Sequence, residues 1–479
     1  MIDSYQWKRL GDVARAVGIH RAMQPRERWP RERLRALQRE RLAEIVAHAQ
    51  THSTFYRELY RGIDPRAMRL EDLPVVSKAI MMEEFDAFVT DSRLRRAELE
   101  AHLETVEHDT LYLGEYRVMC SSGSTGRKGI YVYDRREWSE VLAGSMRWTD
   151  LIGVRPRLPR RVRIATINAP DAKHMTCRGA KSIDIGLFAM LRLSVTQPMA
   201  ELVDALNTFQ PEAINAYPSV AAMLAQEQIE GRLRIAPRVV STSSELRTEE
   251  MTARIRAAWR VEPFNCLGLT ETGISAVDCS EHQGLHIFED ECLFEVVDER
   301  NRPVPAGEPG EKVFVTSLFR FTQPIVRMEV SDLLTLNEEP CACGRTLARI
   351  AVMGGRSDDV LEFPGTSGRT VRVHPIHLRS PLTKCPEVTQ YQIVQEADGL
   401  DCRVVLQSGT DAAGAVQRVT AALRDALAAQ GVVPLPVRVR PLDRLERESG
   451  AGKFKLIKSN ASREALDRRA LQEASETLS

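Results

Sequence analysis

A chain of 479 residues with 66 basic and 66 acidic side chains has no formal net charge, so it lacks the basic footprint of a nucleic-acid binder. Its length exceeds what one small core needs, so a large layered domain with a smaller companion is expected. There is no apolar run long enough to span a bilayer and no apolar signal core behind residues 1–9, which points to a cytoplasmic protein with no membrane partner. The nine cysteines are odd in number and scattered, unlike a secreted disulfide framework.

In chain order, residues 29–51 read as an amphipathic helix, with Leu34, Leu37, Leu42, Ile45 and Val46 at helical spacing. A short helix over 52–57 follows, and Ser77 caps a further helix over 78–88. No chemistry is assigned to this lead-in. Next comes Ser121-Ser122-Gly123-Ser124-Thr125-Gly126-Arg127-Lys128-Gly129, between apolar 116–119 and the alternating Ile130-Tyr131-Val132-Tyr133. A loop of glycines and hydroxyls between two strands can bring consecutive N–H groups close to polyphosphate oxygens. A Ser/Gly linker has the same composition.

Residues 135–152 read as a helix and 162–167 as a buried strand, followed by the polar loop 168–175 with His174. Ligands gather in such loops of α/β sheets, so His174 is either a substrate contact or a loop histidine without duty. A helix over 199–209, a strand over 213–216, Tyr217-Pro218-Ser219 before a helix over 220–230, a strand and polar loop over 239–246 with Ser244 and Glu245, and a helix over 248–259 continue the alternation. The expected class is α/β with mainly parallel strands. The apolar strand before Gly268-Leu269-Thr270-Glu271 then puts a hydroxyl and a carboxylate together at a strand end, suited to nucleotide-borne Mg²⁺ or to a simple helix cap.

Cys279, His282 and His286, with Cys341-Ala342-Cys343-Gly344, could close a tetrahedral structural Zn²⁺ site. The spacing is not that of the common zinc fingers, so on spacing alone ordinary reduced thiols are the favoured reading. Strands over 288–297, 311–316 and 325–329 complete the large domain. Beyond Asp358 the pattern is a small α+β domain, with strands over 371–373, 391–395, 402–407 and 437–439 and a helix over 413–430. The tail after Ser459 is a charged helix or disorder.

Ser121–Gly129, Tyr217-Pro218-Ser219, Gly268-Leu269-Thr270-Glu271, Val330-Ser331-Asp332-Leu333, Gly355-Arg356-Ser357-Asp358-Asp359 and Gly452-Lys453-Phe454-Lys455 stand in the order of the core motifs of the adenylate-forming superfamily. The chain most resembles the phenylacetate–CoA ligase-like branch. The resemblance implies a large multi-layer adenylation domain over 1–357 and a small mobile α+β lid domain over 358–479. It implies that Ser121, Ser124, Thr125, Gly126 and Lys128 hold the ATP β- and γ-phosphates. Ser244 and Glu245 fall where adenine is contacted, and Gly268 lies in the Gly-Leu-Thr-Glu motif, where Thr270 binds the α-phosphate and Glu271 the Mg²⁺. Leu267 stands where relatives have a tyrosine. Asp332 matches the ribose ligand, Arg356 a ribose or phosphate contact, Asp358 the hinge, and Lys453 the late lysine that reaches the α-phosphate and the acid. His174, Tyr217 and Pro218 are assigned to the acid pocket. A structural zinc on Cys279, His286, Cys341 and Cys343 is likewise implied, with His282 as the substitute fourth ligand.

The implied activity is AMP-forming: ATP and Mg²⁺ convert a carboxylic acid, aromatic by analogy, to an acyl-adenylate, and the thiol of coenzyme A displaces AMP. The segment 363–378 is longer than the compact turn usual in the family, on the face that would meet the acceptor. Two alternatives stand beside this: an adenylating ligase that passes the acyl group to an amine or a carrier-protein thiol, and a nucleotide-binding relative without turnover. A homodimer is a compatible assembly.

Overall fold

The computed structural model describes residues 4–121, 129–157, 159–169, 172–366, 368–385, 387–407, 409–445 and 453–460. Ser124, Thr125, Gly126 and Lys128 therefore lie outside the described residues, as does the tail beyond 460, and the Asp358 side chain is not described. The described chain forms two compact units. The first takes residues 4–330 and 334–353, the second 331–333, 354–445 and 453–460.

A nine-stranded sheet organises the first unit, in the spatial order Asp332–Asn337, Arg349–Arg356, Leu285–Ile287, Gly273–Val277, Phe264–Leu269, Val239–Ser243, Ala213–Ala216, Arg163–Asn168, Ala189–Ser194. From Ala189–Ser194 to Phe264–Leu269 the pairings are parallel, because the connections between consecutive strands carry helices. Past Phe264–Leu269 they turn antiparallel.

Strand alternation assigns the two faces. Ala165, Ile167, Ile214, Ala216 and Val240 bury against the helices Met199–Phe209, Pro218–Ile229 and Glu249–Trp259. Ala213 and Cys266, with Ile164, Val239 and Phe264 beside them, point to the opposite face and meet Leu151 and Trp148 near the end of the helix Arg135–Leu151. Thr248 caps its helix by accepting from the Met251 N–H, and Asp134 and Glu137 form a reciprocal capping box.

The helix Ser4–Met23 and the strand Ala189–Ser194 were not expected. In the helix a charged residue occupies a core position: Asp12 is fully buried and holds Arg117 at 3.0 Å and Arg135 at 2.8 Å, which hides the apolar period. His174 is the last loop residue, in extended conformation at the N-cap position of the helix Met175–Ser182, where its side chain makes no capping bond. The expected helix over 78–88 is two, Lys78–Glu83 and Phe85–Phe88.

In the second unit a four-stranded sheet runs Val437–Pro441, Gly399–Leu406, Val388–Glu396, Ile457–Ser459. The helix Ala412–Ala429 contributes Val419, Leu423 and Leu427 to its core. The lengthened segment after Leu361 is an antiparallel hairpin, Leu361–Pro364 with Thr370–Val373.

Candidate active site

The parallel strands of the first unit deliver their carboxyl ends to one edge of the sheet. After Arg163–Asn168 the chain goes outward to Ala189–Ser194, then returns past its starting strand to Ala213–Ala216 and continues the other way. Such a reversal opens a crevice at the strands' carboxyl ends. The segments that leave this edge carry His174, Tyr217-Pro218, Ser244-Glu245 and Thr270-Glu271.

Glu271 lies in the turn between Phe264–Leu269 and Gly273–Val277 and is buried. Gly273 closes the turn with φ +75°, and a Cβ there would meet Val141 at 3.3 Å, so both backbone and packing favour glycine. The Tyr131 hydroxyl donates to Glu271 Oε1 at 2.5 Å, and Lys78 Nζ stands 3.8 Å from the same oxygen. Burial, then the Glu271 charge, pushes the Tyr131 phenol well above its ordinary range, so it remains a donor. Tyr133, two residues on, donates to the Thr270 carbonyl at 2.6 Å. The fully buried Arg320 stacks over the Tyr133 ring at 3.6 Å and donates to the carbonyls of Glu271 at 3.0 Å and Val132 at 2.8 Å. The Thr270-Glu271 turn is thus fixed by side chains from a neighbouring hairpin rather than by its own strand alone.

That hairpin pairs Arg117–Cys120 with Ile130–Tyr133, and the Ser/Gly sequence links its two strands. Ser121 and Gly129 close its base: the Ser121 N–H donates to the Gly129 carbonyl and the Gly129 N–H to Ser121 Oγ, both at 2.9 Å. The Cys120 N–H donates to the Lys173 carbonyl at 2.9 Å, which ties the hairpin to the segment preceding His174. Two of the strand-end segments are therefore bonded to the hairpin that carries the loop.

Farther along the edge, Glu245 Oε2 accepts from the Ser219 N–H at 3.2 Å and from Ser219 Oγ at 2.5 Å. The Tyr217-Pro218-Ser219 and Ser244-Glu245 segments therefore meet, with Ser244 in the left-handed region at φ +71°. Tyr217 and Pro218 are both buried. Gly268 is exposed, whereas Leu267 points into the core.

In the second unit, Arg356 donates to Ser331 Oγ from Nε at 3.0 Å and from Nη2 at 2.5 Å, and the Ser357 N–H donates to the Ser331 carbonyl at 2.6 Å. Asp332 follows Ser331, so Asp332 and Arg356 are held at neighbouring places. Asp358 lies in the short 3₁₀ turn Ser357–Asp359. Lys453 precedes Ile457–Ser459, which pairs in parallel with Val388–Glu396. Its neighbour Lys455 is pinned by Asp359 at 3.0 Å and by Gln392, which donates to its carbonyl at 2.9 Å.

The cysteine constellation also assembles. Ligand atoms of Cys279, His286, Cys341 and Cys343 all lie within 4.8 Å of one another, with Cys279 Sγ to Cys341 Sγ 3.8 Å and Cys343 Sγ to His286 Nε2 3.3 Å. Tetrahedral zinc with Zn–S of about 2.3 Å sets sulfurs about 3.8 Å apart. Burial, then Arg345, holds His286 down to about 4, and neutral imidazole is the ligating form. His282 is outside the group, its Nδ1 bonded to Asp278 at 3.0 Å. Gly284, at φ +103°, admits the close approach of Ile350: a Cβ would lie 2.5 Å from the Ile350 carbonyl.

Sequence reasoning missed Tyr131, Tyr133, Lys78 and Arg320. The two tyrosines share one face of an alternating strand, a pattern that equally describes core residues. Lys78 follows a capping serine, and nothing local marks the buried Arg320.

No protein-family model matches the chain. A phenylacetate–coenzyme A ligase of Thermus thermophilus is 33% identical over 396 residues, 78% of this chain and 80% of that protein. A phenylacetate–coenzyme A ligase of Aromatoleum evansii is 26% identical over 404 residues, 79% and 82% of the two. Among solved structures, a 2-hydroxyisobutyryl-CoA ligase in its postadenylation state superposes with a TM-score of 0.73 at 22% identity, over 94% of each chain, and shares the fold. With a third of its residues identical over more than three quarters of its length, this chain belongs to the phenylacetate–CoA ligase family of adenylate-forming enzymes.

Proposed function

We propose that the protein is an AMP-forming acid–CoA ligase: it activates a carboxylic acid, aromatic by analogy with its relatives, as an acyl-adenylate and passes it to coenzyme A. The observation that carries this reading is that Thr270-Glu271, bonded to the hairpin of the Ser/Gly segment, and the Ser219–Glu245 pair both stand at the carboxyl ends of one parallel sheet.

The chemistry follows from charge. A carboxylate attacking a triphosphate is repelled, so fixed cations and donors must offset that charge before in-line displacement proceeds. Glu271, a hard carboxylate oriented by Tyr131, would hold Mg²⁺ brought by the nucleotide, and that ion would supply charge neutralisation at the phosphates. Thr270 is assigned to the α-phosphate, Ser121 with Ser124, Thr125, Gly126 and Lys128 to the leaving pyrophosphate. Ser244, Glu245 and Gly268 are assigned to the adenine side, and Asp332 and Arg356 to the ribose. Lys453 is the cation for the α-phosphate and the attacking carboxylate. Because Lys453 and the incoming thiol need the same position in turn, a hinge at Asp358 that moves the second unit suits the sequence of steps.

Cys279, His286, Cys341 and Cys343 fit zinc in number, type and spacing, and four protein ligands leave no open position, so such an ion would be structural. The test of function is a panel of acids assayed by ATP–pyrophosphate exchange and by mass spectrometry of products. Acyl-CoA formation is expected, and exchange without acyl-CoA from any acid would instead favour an amine or carrier-protein acceptor.

A further inference from the structure

Near the reversal point of the sheet, the face that meets Trp148 changes character. Ile164 and Ala213 are apolar, but one step toward the carboxyl ends stand Thr166 and its register partner Asn215, and one step beyond Thr166 stands Asn168. Alternation puts these side chains on the same face, since Ala165, Ile167, Ile214 and Ala216 all serve the opposite core. Asn168 is only 9% exposed. Among the described residues, Asn168 Oδ1 and Asn215 Oδ1 are buried without a hydrogen-bond partner. Buried polar atoms in folded proteins are almost always satisfied. Two carboxamide oxygens left open on one face, at and next to the carboxyl ends of neighbouring strands, point to a ligand that donates to them. An apolar acid would leave both unpaired.

We propose that Asn168 and Asn215 form the polar end of the acid-binding site and select a carboxylic acid whose far end carries a hydroxyl or amino group. The inference rests on the ligase reading above and deepens it. A hydroxyl or amino group donates a hydrogen bond, which is what an open carboxamide oxygen lacks. A site built to pair a substrate hydroxyl discriminates strongly against the analogue that lacks it, whereas an apolar pocket does not.

The test compares phenylacetate with its meta- and para-hydroxylated derivatives by pyrophosphate exchange, in the native protein and in Asn168→Leu and Asn215→Leu, with thermal unfolding as the check on folding. The native protein is expected to prefer a hydroxylated acid by about 100-fold or more in kcat/KM. Each variant is expected to lose most of that preference, read as the ratio of kcat/KM for the hydroxylated acid to that for phenylacetate. Asn215→Asp, which keeps the site polar, is expected to favour amino-substituted phenylacetates. Equal use of plain and hydroxylated acids, with a ratio unchanged in the variants, would overturn the inference, leave the ligase reading standing, and assign the open atoms to bound water. Absence of exchange with every acid would overturn the ligase reading and the inference with it.

Discussion

Tyr131→Phe isolates one atom of the proposed site. The ring is fully buried and stays, while the hydroxyl that donates to Glu271 Oε1 at 2.5 Å is lost. Lys78 at 3.8 Å is then the remaining contact to that oxygen among those described, and the carboxylate is freer to turn from the orientation needed for Mg²⁺. A hydrogen bond to a charged group contributes about 1.5–3 kcal/mol. If that orientation matters fully in the transition state, exchange should fall by about 10- to 150-fold, with the Mg²⁺ concentration for half-maximal rate shifted upward. A purely structural tyrosine would instead lower the unfolding midpoint and leave the Mg²⁺ profile where it was. Unchanged exchange together with an unchanged Mg²⁺ profile would refute the assignment of Glu271 as the metal carboxylate.

Three further outcomes are expected. Purified protein should carry about one equivalent of zinc, lost in Cys341→Ser and His286→Ala but kept in His282→Ala; retention of metal in His286→Ala would remove that histidine from the ligand set. Arg147 is fully buried between Glu27 and Asp290, each at 2.8 Å; Glu27 keeps Arg345 at 2.6 Å and Asp290 keeps Arg26 at 3.3 Å, so Arg147→Met should cost less than the ~3–5 kcal/mol of a fully broken buried pair but more than about 1 kcal/mol in urea unfolding, and a cost under about 1 kcal/mol would show the network to be solvated. Burial, then Asp134, pushes Glu137 up to about 7. A carboxyl raised in the folded state favours folding below its unfolded value of 4.5 and loses that contribution as pH climbs through 7. Glu137→Gln should therefore flatten the unfolding midpoint between pH 4.5 and 7, and an unaltered pH slope would contradict it.

What the sequence made legible divides along physical lines. The strand-and-polar-loop repeats at 162–175, 213–219 and 239–246 were readable because each strand is a short apolar run with small or polar residues at its carboxyl end, the pattern parallel packing imposes. Glu271 and Ser121 could be singled out as candidates because their motifs are local in sequence. Tyr131, Lys78 and Arg320 were not, since their roles arise from contacts with residues far away in the chain, such as the 140 positions between Tyr131 and Glu271. Asp12 hid the first helix by placing a charge where the period calls for an apolar residue, and its arginine partners are equally distant. The proposed pairing of Asn168 with Asn215 was illegible for a related reason: they belong to strands whose register only folding supplies.

Lys453 is where the account is most exposed. In Lys453→Ala the reading predicts that ATP binding, followed by isothermal titration, stays within a few-fold of the native protein, while pyrophosphate exchange and acyl-CoA formation with the best acid of the panel disappear together. Native-like exchange in that variant would contradict the proposed adenylating chemistry.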